Sequence, residues 1–265
     1  MPELTGWRRI ANAMWGAPND PQIYGWMDVE ATNLLAYLAK ARAAGHHLTP
    51  THLAGRAVAH CIAAVPDLNV RLLGDRAIPR DSIDVFFITA VSGGHDLSGV
   101  KVERSDQKSA VAISAELDRR AKDLKAGRDP EFTRTKRTME LLPKPALHLA
   151  LEATVFLTEK LNLDMPMLAL HRNPFGSAMI TSVGMFGLPQ GFAPLAWLYD
   201  IPLLVLVGEV TEKPLAIDGQ VVVRSVLPIT ATLDHRYVDG WHVSQAMHAF
   251  REYLANPEKF EPELR

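Results

Sequence analysis

The chain has 265 residues, long enough to bury a hydrophobic core as one large domain or two small ones. Its net charge is −2 with acidic and basic residues well mixed, which excludes a basic surface for nucleic acid, and its single cysteine excludes an internal disulfide framework. Because no segment has the apolar character of a secretory signal or the apolar length of a membrane span, we expect a cytoplasmic protein.

Helices and strands alternate in the first half of the sequence. Thr49-Pro50 is the clearest helix start, a hydroxyl N-cap followed by proline, and Pro66 stops that helix after Val65. Cys61 falls in its apolar pattern and is interpreted as a packed small side chain. The predicted elements are, in order, a helix at 8–16, a strand at Ile23–Glu30, helices at 31–44 and 49–65, short strands at 70–73 and 76–79, a buried strand at Ile83–Val91 and a helix at 110–124 ending near Gly127.

The second half begins with a less regular stretch at 128–175, which contains an amphipathic helix at 146–157. Asp218-Gly219 supplies the two-residue turn of a hairpin at 213–224. The remaining predicted elements are strands at 178–183, 203–210 and 226–233 and a final helix that presents Val243, Phe250 and Leu254 to the core. Because the strands and helices show neither a strict βαβ rhythm nor a Gly-rich phosphate loop, we predict a mixed β-sheet covered by helices.

One motif near the C-terminus carries most of the chemical information. Residues 233–242 read Leu-Asp-His-Arg-Tyr-Val-Asp-Gly-Trp-His. A histidine such as His235 can take a proton from a thiol or hydroxyl near neutral pH. Asp239 can anchor the turn and the next helix, and Gly240 permits a sharp corner. On spacing alone, an ordinary strand-to-helix turn with an N-cap aspartate explains the motif equally well.

The surroundings of this motif resemble a known family. The stretches 227–240 and 250–258 are similar to the end of the dihydrolipoyl acyltransferase catalytic core of 2-oxoacid dehydrogenase complexes, which shares its fold with chloramphenicol acetyltransferase. Further similar segments are Arg9-Ile10-Ala11, the string 65–69, the strand 84–91 with Gly93-Gly94, and Ile180-Thr181-Ser182-Val183-Gly184. The resemblance implies one α/β domain of the chloramphenicol acetyltransferase-like fold over residues 1–265.

The resemblance also implies an activity, the transfer of an acyl group between coenzyme A and a thiol such as dihydrolipoamide. His235 would be the general base, and the hydroxyl of Thr181, or as second choice Ser182, would stabilise the oxyanion. Without the resemblance, Thr181 is better explained as a β-branched strand residue. Asp239 would support His235 through a buried charged hydrogen bond. The positions expected to contact coenzyme A are Gly184, His95 and Asn69.

Other polar residues near the motif are given simpler interpretations. We expect no metal site from His235, Asp239 and His242, because no further ligand has suitable spacing. Arg236 is expected to pair with a carboxylate at a subunit contact or to remain a solvated charge. The expected positions at loop and helix surfaces are His46, His47 and His52.

The sequence also departs from the family pattern. The core begins within ten residues of the start, so a lipoyl group would come from another chain. The loop 96–101 and Trp241 differ from the family, and residues 130–172 are predicted to be a helical insertion. We expect a homotrimer with active sites at subunit interfaces, without a larger cage because the C-terminal residues are charged. The alternatives are a non-catalytic scaffold of the same fold or an acyltransferase acting on a small hydroxyl acceptor.

Overall fold

The computed structural model describes residues 20–91, 96–125, 143–165, 170–196 and 199–264. The helix predicted at 8–16 lies outside these residues. The strands are β1 (Gln22–Glu30), β2 (Val70–Leu73), β3 (Arg76–Pro79), β4 (Val85–Val91), β5 (Asp96–Val102), β6 (Ala178–Ser182), β7 (Leu203–Val207), β8 (Thr211–Ile217) and β9 (Gln220–Asp234). The α-helices are α1 (Thr32–Ala43), α2 (Pro50–Ala64), α3 (Ala110–Lys125), α4 (Lys144–Val155), α5 (Gly240–Ala255) and α6 (Pro257–Phe260). A π-helical turn, Phe156–Lys160, follows α4, and 3₁₀ turns lie at Pro66–Leu68, Ser105–Gln107, Gly184–Phe186 and Pro262–Leu264.

Within the described residues, seven strands form one mixed sheet and two form a separate hairpin. The order in the sheet is β1-β9-β7-β6-β4-β5, with β8 paired to the first half of β9, and β2 pairs with β3. β4, β6 and β7 run parallel, whereas the other pairs are antiparallel. The mixed sheet predicted from the sequence is therefore confirmed.

The two faces of the sheet are covered differently. Because side chains alternate along a strand, Ile180 and Val205 point to one face, where they join a large buried core with residues of α2 and α5. Met179 and Leu204 point to the other face and pack in a smaller cluster against the loop that contains Leu195. The second face therefore has no helical layer among the described residues that pack on it, and Tyr24 and Trp26 of β1 remain 54% and 67% exposed.

Three predicted elements differ from the structure. Residues 96–102, expected only as a short extended piece, form a full strand, because β5 pairs with β4 in the register Val85↔Val102. The hairpin arm and the strand 226–233, predicted separately, are one continuous strand, β9. β9 pairs with β8 in its first half and with β1 and β7 in its second half, so it is paired on one side at first and on both sides later. The strand predicted at 203–210 ends at Val207.

Charged groups attach the π-helical turn to the core. Arg80 Nη1 lies 3.7 Å from Glu159 Oε2, and both side chains are almost completely buried. Lys160 of the same turn pairs with the buried carboxylate of Asp200. Tyr237, in the turn after β9, donates a hydrogen bond to the carbonyl oxygen of Asp200 at 3.4 Å. The segment around the π-helical turn is thus connected through Asp200 to the turn that carries His235.

None of the described helices is both long enough and apolar enough to cross a membrane.

Candidate active site

His235 lies in the turn between β9 and α5. Its backbone N–H donates to the carbonyl oxygen of Pro21 at 2.9 Å, which fixes the turn against the start of β1. The side chain is exposed, and its ring has no hydrogen-bond partner within the described ranges. The imidazole is therefore held at the surface by its backbone and is free to meet a group that another molecule supplies.

Asp234 and Arg236, the neighbours of His235, stabilise the turn through contacts within the same chain. Asp234 is buried, and its carboxylate accepts hydrogen bonds from Arg236 Nε at 3.0 Å and Nη2 at 2.6 Å. This bidentate pair raises the pKa of Arg236 through the hydrogen bond with Asp234. The main partner of Arg236 is thus in its own chain, so Arg236 is not merely a solvated charge, whereas its contact with another subunit stays a prediction. Sequence reasoning missed Asp234, although an aspartate two residues before an arginine at a strand end was the available signal.

Asp239 caps α5. Its carboxylate accepts hydrogen bonds from the backbone N–H groups of Trp241 at 3.0 Å and His242 at 3.3 Å. The side chain is 59% exposed, and its hydrogen bond with the His242 ring lowers the pKa of the Asp239 carboxyl. The N-cap interpretation is confirmed, whereas within one chain the Asp239 carboxylate is exposed and makes no buried hydrogen bond. Any support for His235 acts through the start of α5.

His242 lies between two carboxylates. Its Nδ1 is 2.7 Å from Asp239 Oδ1, and its Nε2 is 3.3 Å from Asp67 Oδ2. Across the described part of the chain, no three His, Cys, Asp or Glu side chains are arranged to hold a metal ion. The two carboxylates therefore orient the His242 ring over the first turn of α5.

Thr181 and Ser182 close β6 and point to opposite faces of the sheet. Thr181 shares its face with Met179, the face without a helical layer, whereas Ser182 shares the helix-covered face with Ile180. Both side chains are partly buried. Neither hydroxyl has a hydrogen-bond partner among the residues that the structure describes. Of the two, Thr181 is better placed to meet a molecule that approaches the open face.

The sheet register separates Thr181 from His235 within one chain. Thr181 is aligned with Leu206 of β7, which is aligned with Thr230 of β9. His235 follows Thr230 by five residues, so it lies roughly 17 Å farther along the strand direction, with two strand spacings of about 5 Å each to cross as well. This span is too long for both groups of one chain to contact the same thioester. A site that uses both must combine two chains.

The residues expected to contact coenzyme A have clear structural roles. Asn69 Oδ1 accepts a hydrogen bond from Ser177 Oγ at 2.6 Å, which ties the end of the 3₁₀ turn to the start of β6. At Gly184, a Cβ atom would lie 2.5 Å from the carbonyl oxygen of Gly208, so the close backbone approach requires glycine. His95 lies outside the described residues. The two described positions, Asn69 and Gly184, lie at opposite ends of β6 and are not brought together as one site.

Cys61 is a packed core residue, as predicted. Its thiol is buried and donates to the carbonyl oxygen of Ala246 at 3.2 Å. Burial raises the pKa of the Cys61 thiol well above its ordinary value. A protonated, inaccessible thiol is not a nucleophile.

Comparison with known proteins identifies similar sequences and folds. The family model described as 2-oxoacid dehydrogenases acyltransferase (catalytic domain) matches residues 3–133 and 172–261. The dihydrolipoyllysine-residue acetyltransferase component of the pyruvate dehydrogenase complex from Zymomonas mobilis subsp. mobilis is 24% identical over 243 residues, covering 90% of this chain and 46% of the relative. The corresponding component from Rhizobium meliloti is 24% identical over 245 residues, covering 89% and 45%. The chain thus spans about half the length of these relatives.

Solved structures show the same fold. A probable dihydrolipoamide acetyltransferase from Listeria monocytogenes 4b F2365 superposes with a TM-score of 0.66 at 21% identity, covering 99% of this chain and 96% of that one. The cubic core of a pyruvate dehydrogenase multienzyme complex gives a TM-score of 0.64 at 22% identity, covering 91% and 84%. The fold that the sequence resemblance implies is therefore confirmed.

Proposed function

The chain belongs to the family of 2-oxoacid dehydrogenase acyltransferase catalytic domains, and we propose that it transfers an acyl group between coenzyme A and a second thiol such as dihydrolipoamide. We assign residues 1–265 to this catalytic domain and 130–172 to a helical insertion in it. The two matched ranges leave 134–171 between them, which supports that boundary. Both coenzyme A and a lipoyl group carried by another chain would act as substrates.

The transfer needs one base and one oxyanion donor. His235 takes the proton from the attacking thiol, and the thiolate adds to the acyl thioester carbonyl. The Thr181 hydroxyl donates a hydrogen bond to the tetrahedral oxyanion. Collapse of this intermediate expels the other sulfur as a thiolate, which recovers the proton from His235. The same two groups thus serve both directions of the exchange.

The observation that carries this proposal is the pair of free polar groups at opposite ends of the sheet. His235 is exposed without a hydrogen-bond partner in the described ranges, and Thr181 lies on the open face of the sheet, also without one there. In the dihydrolipoamide acetyltransferase of Azotobacter vinelandii, a serine, a histidine and an asparagine have been investigated for roles in the catalytic mechanism. That histidine and asparagine are four positions apart, as His235 and Asp239 are here.

We place the active sites between subunits of a homotrimer, where His235 of one chain meets Thr181 of the next. Exposed aromatic side chains on the open face support an intersubunit contact. Tyr24 and Phe192 meet edge to face with ring centroids 5.4 Å apart, and Phe192 is 46% exposed beside Trp26. Burying these rings against a second copy would remove a large apolar surface from water.

The activity test compares wild type with His235→Ala in an assay with acetyl-CoA and free dihydrolipoamide. His248→Ala, which removes an exposed histidine of α5, is the matched control. We expect wild type and the control to turn over and His235→Ala to lose activity by about 10²- to 10⁴-fold. Turnover that survives His235→Ala would contradict the assigned base. A wild type that neither binds coenzyme A nor turns over any acyl-CoA would indicate a non-catalytic scaffold.

Subunit mixing tests the shared site separately. His235→Ala and Thr181→Ala chains, each inactive alone, are co-expressed and assembled at equal amounts. If each site takes His235 from one chain and Thr181 from the next, random assembly gives both wild-type groups to about one site in four, counted over all the trimers, and activity returns to that level. A mixture that stays inactive, or a chain that is a stable monomer by mass in solution, would contradict the arrangement.

A further inference from the structure

A polar cavity of about 660 Å³ lies where the segment after the π-helical turn packs on the ends of β4, β5 and β6. Its walls come partly from family-matched residues such as Arg71 and Arg104, and partly from Glu159 and Asn162, which lie between the two matched ranges. Neither His235 nor Thr181 lines it. A cavity of this size and polarity can hold a small charged ligand.

The carboxylates that line the cavity are already engaged by the protein. Asp81 pairs with Arg172 at 3.4 Å, Glu103 with Lys101 at 3.5 Å, and Glu159 with Arg80 at 3.7 Å. Asp84 accepts hydrogen bonds from Ser82 Oγ at 2.7 Å and from the backbone N–H of Arg104 at 3.0 Å, and Asp164 lies 3.3 Å from His171. Burial raises the pKa of the Glu159 carboxyl, and its ion pair with Arg80 opposes this rise. Each acidic group of the lining is therefore held by a partner within the protein.

Two guanidinium groups in the lining have no carboxylate within 4.0 Å in the described ranges. Arg71 donates one hydrogen bond, from Nη1 to the carbonyl oxygen of Glu159 at 2.8 Å, and its other donors are not used by described residues. The side chain of Arg104 makes neither an ion pair nor a hydrogen bond with any described residue. Arg104 has a φ of 49°, and the hydrogen bond from its N–H to Asp84 holds this left-handed conformation. Among the described residues of the lining, Arg71 and Arg104 are thus the guanidinium groups that form no ion pair.

Guanidinium groups recognise tetrahedral oxyanions with paired N–H donors, and they bind phosphate with more geometric specificity than lysine does. We propose that this cavity is a binding site for a phosphate group and that Arg71 and Arg104 are its principal ligands. The phosphate is either free inorganic phosphate or a group on a larger metabolite. The proposal does not rest on acyl transfer, because binding is measured without turnover.

Calorimetric titration of the full chain at low ionic strength tests the site, with inorganic phosphate and AMP as separate probes. We expect saturable binding at one site per chain, weakened by about tenfold or more in Arg104→Gln and in Arg71→Gln. Arg224→Gln, an exposed arginine of the β8–β9 hairpin, is the matched control and should bind like wild type. Equal affinity for the two probes identifies free phosphate as the ligand. Tighter binding of AMP identifies a phosphate on an organic ligand.

Arg104→Gln is the decisive variant, because it removes no ion pair or hydrogen bond between side chain and protein among the described residues. Arg71→Gln also removes a hydrogen bond to Glu159, so its thermal unfolding is compared with wild type before its affinity is interpreted. The proposal is overturned if neither probe binds saturably to wild type. It is also overturned if Arg104→Gln, folded as wild type by circular dichroism, binds phosphate with unchanged affinity.

Discussion

The capping box at the start of α2 predicts a pH-dependent loss of stability. Thr49 Oγ1 accepts a hydrogen bond from the backbone N–H of His52 at 3.4 Å, and the backbone N–H of Thr49 donates to His52 Nδ1 at 3.3 Å. Nδ1 can accept this bond only while it carries no proton. Burial lowers the pKa of His52 to about 4, with a smaller opposing effect of Asp118 and a further lowering by His47. His52, expected at the helix surface, is partly buried, and this burial makes its titration unfavourable to folding.

The size of the effect follows from the difference between the two pKa values. The ordinary value is 6.5 and the folded value is about 4, which at about 1.4 kcal/mol per pKa unit corresponds to about 3 kcal/mol. Because the folded chain binds the proton more weakly than the unfolded chain, this stability is fully present above pH 6.5. It is lost progressively as the pH falls from 6.5 to about 4.

Urea unfolding at fixed protein concentration, measured from pH 8 to pH 4, tests this reasoning. The comparison variant is His52→Gln, since glutamine at this position can accept the same backbone hydrogen bond and does not titrate. Wild type should lose about 3 kcal/mol more than His52→Gln between pH 7 and pH 4. His46→Gln, at an exposed histidine that does not contribute to the pKa shift of His52, should follow wild type. Parallel pH profiles for wild type and His52→Gln would refute the argument.

Three further predictions concern the site and the core. Thr181→Ala should lower kcat by about 10²- to 10³-fold in the acyl-transfer assay, whereas Ser182→Ala should have little effect. Equal losses of kcat in the two variants would contradict the assignment of Thr181 as the oxyanion donor. Gly208→Ala should lower Tm by several degrees, because a Cβ atom at Gly208 would lie 2.0 Å from the carbonyl oxygen of Pro189. An unchanged Tm would show that the backbone around Pro189 moves away without cost. Arg80→Met alone should destabilise by about 3–5 kcal/mol, because it leaves the buried carboxylate of Glu159 without its partner. In a double-mutant cycle of chemical unfolding, Arg80→Met with Glu159→Met should cost less than the sum of the single changes, and strict additivity would show that the pair is not coupled.

Elements whose signals are local could be predicted from the sequence. The strands at 70–73 and 76–79 were predicted with the bounds that the structure shows, because Gly74-Asp75 can form only a tight turn between them. The start of α2 was equally clear, since a threonine N-cap followed by proline fixes the first turn of a helix. In both cases the decisive residues are neighbours in the chain.

Elements that depend on distant partners could not be predicted. β5 contains Asp96, Ser98 and Gly99, which have low strand propensity, and it is a strand because β4 pairs along its whole length. Glycine is required at position 99 for a reason that the sequence does not show, because a Cβ atom there would lie 2.1 Å from the ring of Phe86. The exposure of Asp239 was also missed, because the spacing of a motif does not report which side of the turn faces solvent.

The unbroken strand β9 has a mechanical consequence. Its fifteen residues span about 50 Å, with the β8 hairpin at one end and the histidine turn at the other. Because β9 is hydrogen-bonded on both sides over its second half, we expect its two ends to move together. A partner that binds the tip of the β8–β9 hairpin would therefore also change the orientation of the distant His235 ring.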